Sequence, residues 1–174
     1  AMIYMMDFQT ARWTVEGEIP QQAGNFHPTS IPTGVYRTKD GHINIAVFGG
    51  KIWERFCHAL GAPEWIADER SATKVNRSVH RDWLNAEIEK KLAAEGSDYW
   101  IEKLNQEGVA CGRINNLAQV FEEPQVQHLG MLKTVVSPRL GEQKLVGQPV
   151  NLSRTPSTIA RATPRRGEHS EEIL

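Results

Sequence analysis

The stretch from Ile31 to Ala46 constrains the fold more than any other part of the chain. Val35, Tyr36 and Thr38 favour an extended strand, and Lys39-Asp40-Gly41 supply a turn. After the turn, Ile43 and Ile45 alternate with the polar residues His42 and Asn44. This is the pattern of a β-hairpin with one face buried and one face wet. The hairpin predicts a small antiparallel sheet, and the segments that follow it predict helices to pack on that sheet.

Ile52, Trp53, Phe56, Cys57 and Leu60 fall on one face of a helix over about 51–60, with Gly61 at its C-terminal stop. Pro63 opens a short helical turn. A longer helix is predicted from Arg77 to Glu95, with Val79, Trp83, Leu84, Ile88 and Leu92 as its buried stripe and charged residues around the rest. Gly96 ends it, and Ser97 is expected to cap a further helix with Trp100, Ile101 and Leu104 inward. Val109–Ile114 reads as a strand, Leu117–Glu123 as a short helix, and Met131–Ser137 with Gln143–Val146 as a second hairpin across Gly141.

The flanks differ from this middle. Residues 1–16 predict one helix without an N-cap, with Met2, Met6, Phe8 and Trp13 apolar and Gly17 as its stop. A long loop fills 17–31. From Gly147 onward, Pro149, Pro156 and Pro164 with many Ser, Thr and Arg residues predict an extended strap, followed by a helix starting near Gly167. The fold class is therefore α+β: a small antiparallel sheet with several packing helices, a leading helix and an extended C-terminal strap. The expected divisions are 1–30 as linker helix and loop, 31–146 as the small α+β domain, and 147–174 as the strap.

Composition excludes several classes of function. A net charge of −1 gives no basic field for a nucleic acid or an anionic membrane. No apolar run approaches a bilayer span, and the first residues lack a basic n-region and a cleavage site. Cys57 and Cys111 form no framework and read as reduced thiols in a cytoplasmic compartment. Six scattered histidines show no metal spacing, and phosphate-loop, dinucleotide and zinc-protease motifs are absent.

Several segments, in order, resemble the class III CoA-transferases, the family of formyl-CoA and carnitine-CoA transferases. These are the hairpin with Asp40-Gly41, and the Trp53–Phe56 helix followed by Leu60-Gly61-x-Pro63-Glu64-Trp65. Arg77 ahead of the long helix also matches, as does Gly108-Val109-Ala110-Cys111-Gly112-Arg113-Ile114-Asn115, which departs from the family pattern at Ala110 and Arg113. The closing motifs are Gly147-x-Pro149, Leu152-Ser153-x-Thr155-Pro156 and Gly167-Glu168-His169-Ser170-x-Glu172-Ile173-Leu174.

The resemblance implies the small-domain portion of an enzyme that moves CoA between an acyl-CoA and a carboxylic acid, such as a dicarboxylate. The family's aspartate nucleophile would lie in an N-terminal half outside this chain, so no catalytic residue is assigned here. Asn25, Phe26 and His27 stand where some members carry a glycine-rich loop over the reacting centre, and are expected to line the acyl or acceptor side. Gly112 and Asn115 are expected near the site through their backbone. No metal and no tightly bound cofactor are implied, with coenzyme A as substrate and a homodimer as the assembly. Two alternatives stay open: a 2-methylacyl-CoA racemase of the same family, and a non-catalytic binding or assembly module.

Overall fold

In the computed structural model, which describes residues 2–174, the chain forms two units, one running to Ile114 and the other from Asn115 to Leu174. Ala1, at the head of the predicted first helix, lies outside the described residues. The first unit carries α1 (Met2–Met5), α2 (Phe8–Glu16), β1 (Thr33–Arg37), β2 (His42–Ala46) and α3 (Gly50–Ala59). A 3-10 turn (Pro63–Ile66), α4 (Lys74–Val79), α5 (Arg81–Leu92), α6 (Ser97–Gln106) and β3 (Ala110–Arg113) complete it. The second unit holds α7 (Leu117–Glu122), α8 (Pro124–His128), β4 (Leu132–Ser137), β5 (Gly141–Val146) and α9 (Ser170–Ile173).

The predicted hairpin forms the first two strands of an antiparallel sheet ordered β1-β2-β3. Tyr36 pairs with Ile43, and Ile45 pairs with Cys111. Because side chains alternate along a strand, Tyr36, Ile43 and Ile45 all point to the covered face and are fully buried. Trp53, Phe56 and Cys57 of α3, Leu84, Ile88 and Leu92 of α5, and Leu104 of α6 close over them. Each fully buried side chain of this size stabilises the fold by about 1.5–3 kcal/mol. The Tyr36 hydroxyl donates to Asn85 Oδ1 at 2.8 Å, and burial pushes its phenol well above the usual range.

The end of α3 is set by Gly61. Its N–H donates to His58 O at 3.0 Å, and the Ala62 N–H donates to Cys57 O at 2.9 Å. That pair of bonds needs a left-handed residue at Gly61, whose φ is 61°.

Three local expectations are corrected. The leading helix is not continuous: α1 and α2 are separated at Asp7, which sits at φ 46°, and Met2, Met6, Phe8 and Trp13 are exposed. The helix expected from Arg77 to Glu95 breaks at His80, where ψ turns to 27°. With the helical register interrupted, Val79 leaves the buried stripe and is exposed, while Leu84, Ile88 and Leu92 keep it. Ser97 does not cap α6 but is its first residue and is fully buried. The cap comes instead from the hairpin turn: Asp40 Oδ1 accepts the Ser97 N–H and hydroxyl, each at 2.8 Å. These bonds hold the Asp40 carboxyl below its ordinary range, as an anion at a helix N-terminus is expected to be held.

In the second unit β4 and β5 pair antiparallel from Leu132↔Val146 to Ser137↔Gly141. The turn of this hairpin falls on residues 138–140, one step before the expected Gly141. Residues 148–167 hold neither strand nor α-helix, in keeping with the expected strap. Thr163 fastens it to the hairpin by donating to Gln143 Oε1 at 3.0 Å.

Candidate functional site

The loop singled out from the sequence is tied to the sheet. Asn25 O accepts the Val35 N–H at 3.1 Å, and the His27 N–H donates to Thr33 O at 2.8 Å. Between them Phe26 makes an antiparallel bridge to Gly34. The segment 25–27 thus lies along the free edge of β1 as a short extra strand. Glycine at position 34 makes this approach possible. A methyl group there would sit 2.5 Å from Phe26 Cδ1 and 2.8 Å from Asn25 O.

The three loop residues have different settings. Asn25 is exposed, whereas Phe26 is half-buried and packs against the core, its ring meeting Tyr36 edge-on at 5.4 Å between centroids. His27 is stacked on Phe8 with ring centroids 5.5 Å apart and meets Phe48 edge-on at 6.0 Å. Its Nδ1 accepts the N–H groups of Ser30 at 2.9 Å and Thr29 at 3.2 Å. A nitrogen that accepts two hydrogen bonds carries no proton, so the neutral ring bears its hydrogen on Nε2. Burial, and then the positive charge of Lys74, lower the His27 pKa below its ordinary 6.5. The ring is therefore a neutral hydrogen-bond donor at pH 7 rather than a cation. Arg81 completes the support by donating to His27 O at 3.1 Å.

Gly112 lies in β3 opposite Asn44, with open space where a side chain would project. Asn115 opens the second unit, where its Nδ2 donates to Glu123 Oε1 at 2.7 Å. The structure therefore brings Asn25, Phe26 and His27 together on one edge, and places Gly112 and Asn115 in different units. Sequence reasoning missed Lys74, Arg81 and Phe48 as neighbours of His27. No local signal marks them, because each reaches the loop from a separate element.

Other groups do not build a reactive centre. Burial pushes the Cys57 thiol up to about 12 and the Cys111 thiol up to about 11, so neither is a thiolate at pH 7. His169 and Arg161 both turn to the Glu172 carboxylate, and Glu168 accepts the Arg165 N–H, so the Glu168-His169 pair braces the strap. Among the described residues no group of His, Cys, Asp and Glu side chains could hold a metal, and no helix is long and apolar enough to cross a membrane.

The fold and the ordered motifs converge on one family. The model for CoA-transferase family III matches residues 1–170, and the chain belongs to that family. The succinyl-CoA:mesaconate CoA-transferase of Haloarcula marismortui is 29% identical over 175 residues, which cover 100% of this chain and 43% of that protein. The human succinyl-CoA:glutarate CoA-transferase is 30% identical over 151 residues, 87% of this chain and 34% of its own. Among solved structures, a CAIB/BAIF family protein from Brucella suis superposes with a TM-score of 0.78 at 27% identity, over 99% of this chain and 44% of its own. The chain thus spans less than half the length of these relatives.

Proposed function

We propose that this chain is the small-domain part of an enzyme that transfers CoA from an acyl-CoA to a dicarboxylic acid. The observation that carries this reading is the family match over residues 1–170, joined to the names of its relatives. Mesaconate, glutarate and citramalate, the acids named beside succinyl-CoA in those relatives, are all dicarboxylic. The nucleophile in this reading is an aspartate outside the chain.

The exchange splits one difficult transfer into easier steps. An aspartate carboxylate oxygen attacks the donor thioester carbonyl, the C–S bond breaks, and CoA leaves as a thiolate from a mixed anhydride. The thiolate then attacks the aspartyl carbonyl, releasing the donor acid as a carboxylate and leaving aspartyl-CoA. The acceptor carboxylate attacks that thioester to form a second anhydride and free the thiolate once more. Attack of the thiolate on the acceptor carbonyl yields the new acyl-CoA and restores the aspartate.

Water must be kept from both anhydrides. Within this reading the edge segment Asn25–His27 lines the acyl or acceptor side, with Gly112 and Asn115 close by through their backbone. A neutral His27 donating from Nε2 is suited to orient a carboxylate without trapping it as a buried ion pair. Residues 31–146 act as the small domain, 1–30 and 147–174 run toward a large domain, and the enzyme works as a cytoplasmic homodimer.

The test uses the gene-length protein that contains this chain, incubated with succinyl-CoA and glutarate. The expected outcome is glutaryl-CoA, with an enzyme-bound thioester that borohydride reduces and traps. Failure to transfer CoA to any dicarboxylate, together with deuterium exchange at the α-carbon of a 2-methylacyl-CoA, would replace this reading with the racemase. No turnover of either kind would leave a binding module.

A further inference from the structure

The turn that follows the edge segment is closed by one atom. His27 Nδ1 accepts the Ser30 N–H at 2.9 Å and the Thr29 N–H at 3.2 Å, and neither amide has another acceptor among the described residues. Pro28, between His27 and Thr29, has no N–H to offer. The turn therefore keeps its shape only while Nδ1 holds a free lone pair. A proton on Nδ1 changes that atom from acceptor to donor, so that three N–H groups face one another. Both backbone bonds are lost in a single chemical step.

The neighbours of the ring do not offset that loss. On α2, Phe8 stacks against the imidazole, and Phe48, just past β2, meets it edge-on. Two positive charges face the segment: Lys74 of α4, whose field reaches the ring, and Arg81 of α5, which donates to His27 O at 3.1 Å. Glu16 and Glu18 line the same cavity as Pro28 and Thr29, and Glu54 lines another with Ser30 and Phe48. Among the described residues, however, no carboxylate lies within ion-pair distance of His27. Burial and then Lys74 accordingly hold the His27 pKa below 6.5 while the turn is closed. A ring freed into water returns to its ordinary value. The open turn thus binds the proton more readily than the closed one.

We propose that His27 is a proton-operated latch: uptake of one proton at Nδ1 frees residues 25–29 from the edge of β1, and loss of that proton lets them close again. The moving part has a fixed end. Ser30 Oγ donates to Val47 O at 3.2 Å and Ile31 is buried in the core, so the chain stays anchored from Ser30 onward. The Phe26 ring on Tyr36 resists opening and keeps the closed form dominant at neutral pH. Closing is fully favoured above about pH 6.5. Below it the open population rises by up to about tenfold per pH unit, until the lowered pKa of the closed form is reached. The catalytic meaning of the latch rests on the transferase reading, in which this segment lines the acyl or acceptor side and acid uncovers a site that must exclude water. The latch itself rests only on the hydrogen bonds of the turn.

The experiment is hydrogen exchange of the 174-residue chain from about pH 7.5 to about pH 5, read amide by amide in ¹H–¹⁵N spectra as protection factors, beside the ring-nitrogen shifts of His27. At the upper end the shifts are expected to show a neutral ring with its proton on Nε2. As pH falls below about 6.5, the Thr29, Ser30 and Val35 amides are expected to lose protection by up to about tenfold per unit. Tyr36 and Ile43, paired inside the β1–β2 ladder, are expected to keep theirs. His27→Gln, which retains an acceptor and cannot titrate, is expected to leave all of these protections flat with pH. Flat protection in the wild type overturns the proposal, as does a loss that persists unchanged in folded His27→Gln. A ring that takes up its proton on Nδ1 while the three amides stay protected overturns it without any variant. No substrate is present, so these results do not bear on the transferase reading, which is scored by turnover in the gene-length protein.

Discussion

Replacing Arg77 tests how the first unit tolerates a charge in its interior. The side chain is 7% exposed and has no carboxylate partner among the described residues. It is held by backbone carbonyls: Nε donates to Ile31 O at 2.9 Å and Nη1 to Ser71 O at 2.8 Å. The guanidinium also lies over the Trp53 ring at 4.6 Å. Arg77→Met keeps the stem and leaves both carbonyls without a donor. Each such orphan costs about 1–3 kcal/mol, and relief from burying the charge returns part of the sum. We expect a net loss of about 3 kcal/mol, a large fraction of the ~5–15 kcal/mol that holds a typical domain together. With a urea slope of about 2 kcal/mol/M, the midpoint falls by roughly 1.5 M. The assay is urea unfolding followed by tryptophan fluorescence, which reports on the first unit alone because Trp13, Trp53, Trp65, Trp83 and Trp100 all precede Asn115. Arg77→Lys should fall between, since an ammonium on a straight stem cannot span both carbonyls. A midpoint shift below about 0.5 M for Arg77→Met would refute the claim that these bonds hold the α4 region to the strand edge.

Gly34→Ala should force segment 25–27 off β1 and destabilise the first unit by about 1–3 kcal/mol; an unchanged melting curve would show that the contact is slack. Tyr36→Phe removes the bond to Asn85 and should cost about 1 kcal/mol in the same urea assay, with an unchanged midpoint counting against it. The Asp40 carboxyl is held below its ordinary 3.8 by Ser97, so its contribution is full above the unfolded pKa and is lost as pH falls through the folded one. The gap in urea midpoint between wild type and Asp40→Asn should therefore be constant from about pH 7 to 5 and shrink below about pH 4; a gap that widens on acidification would reverse the assignment. Neither cysteine should take up iodoacetamide within minutes at pH 7, and rapid labelling of Cys57 by mass spectrometry would show that its burial is transient.

Elements fixed by local rhythm were legible in the sequence. The alternation of Ile43 and Ile45, the one-sided stripe of α3 with Gly61 behind it, and the run of Leu84, Ile88 and Leu92 each state their structure within a dozen residues. What the sequence hid is decided by partners far along the chain. Arg77 was legible as the start of a helix and as part of the family likeness, but its burial was not, because Ile31 O and Ser71 O make it an interior residue. Ser97 has the look of a cap, yet the capping oxygen arrives from Asp40. The candidate loop was visible by likeness, but Asn25-Phe26-His27 shows no strand alternation, because its pairing relies on the missing side chain of Gly34. The buried Trp53 indole N–H without an acceptor was invisible for the opposite reason. An unmet indole N–H is a property of its surroundings and leaves no mark on the residue type.

The bond from Asp40 to Ser97 joins positions 57 residues apart in the chain. The hairpin turn and the first turn of α6 share one carboxylate, so neither is complete until α3, α4 and α5 lie between them in order. Closing so long a loop comes after the local turns and stripes have formed. The contact is then largely absent from the folding transition state, and its role is kinetic: it slows escape from the native state rather than hastening entry. A chain with Asp40 replaced should refold at nearly its native rate and unfold faster, opening first where the turn leaves the helix.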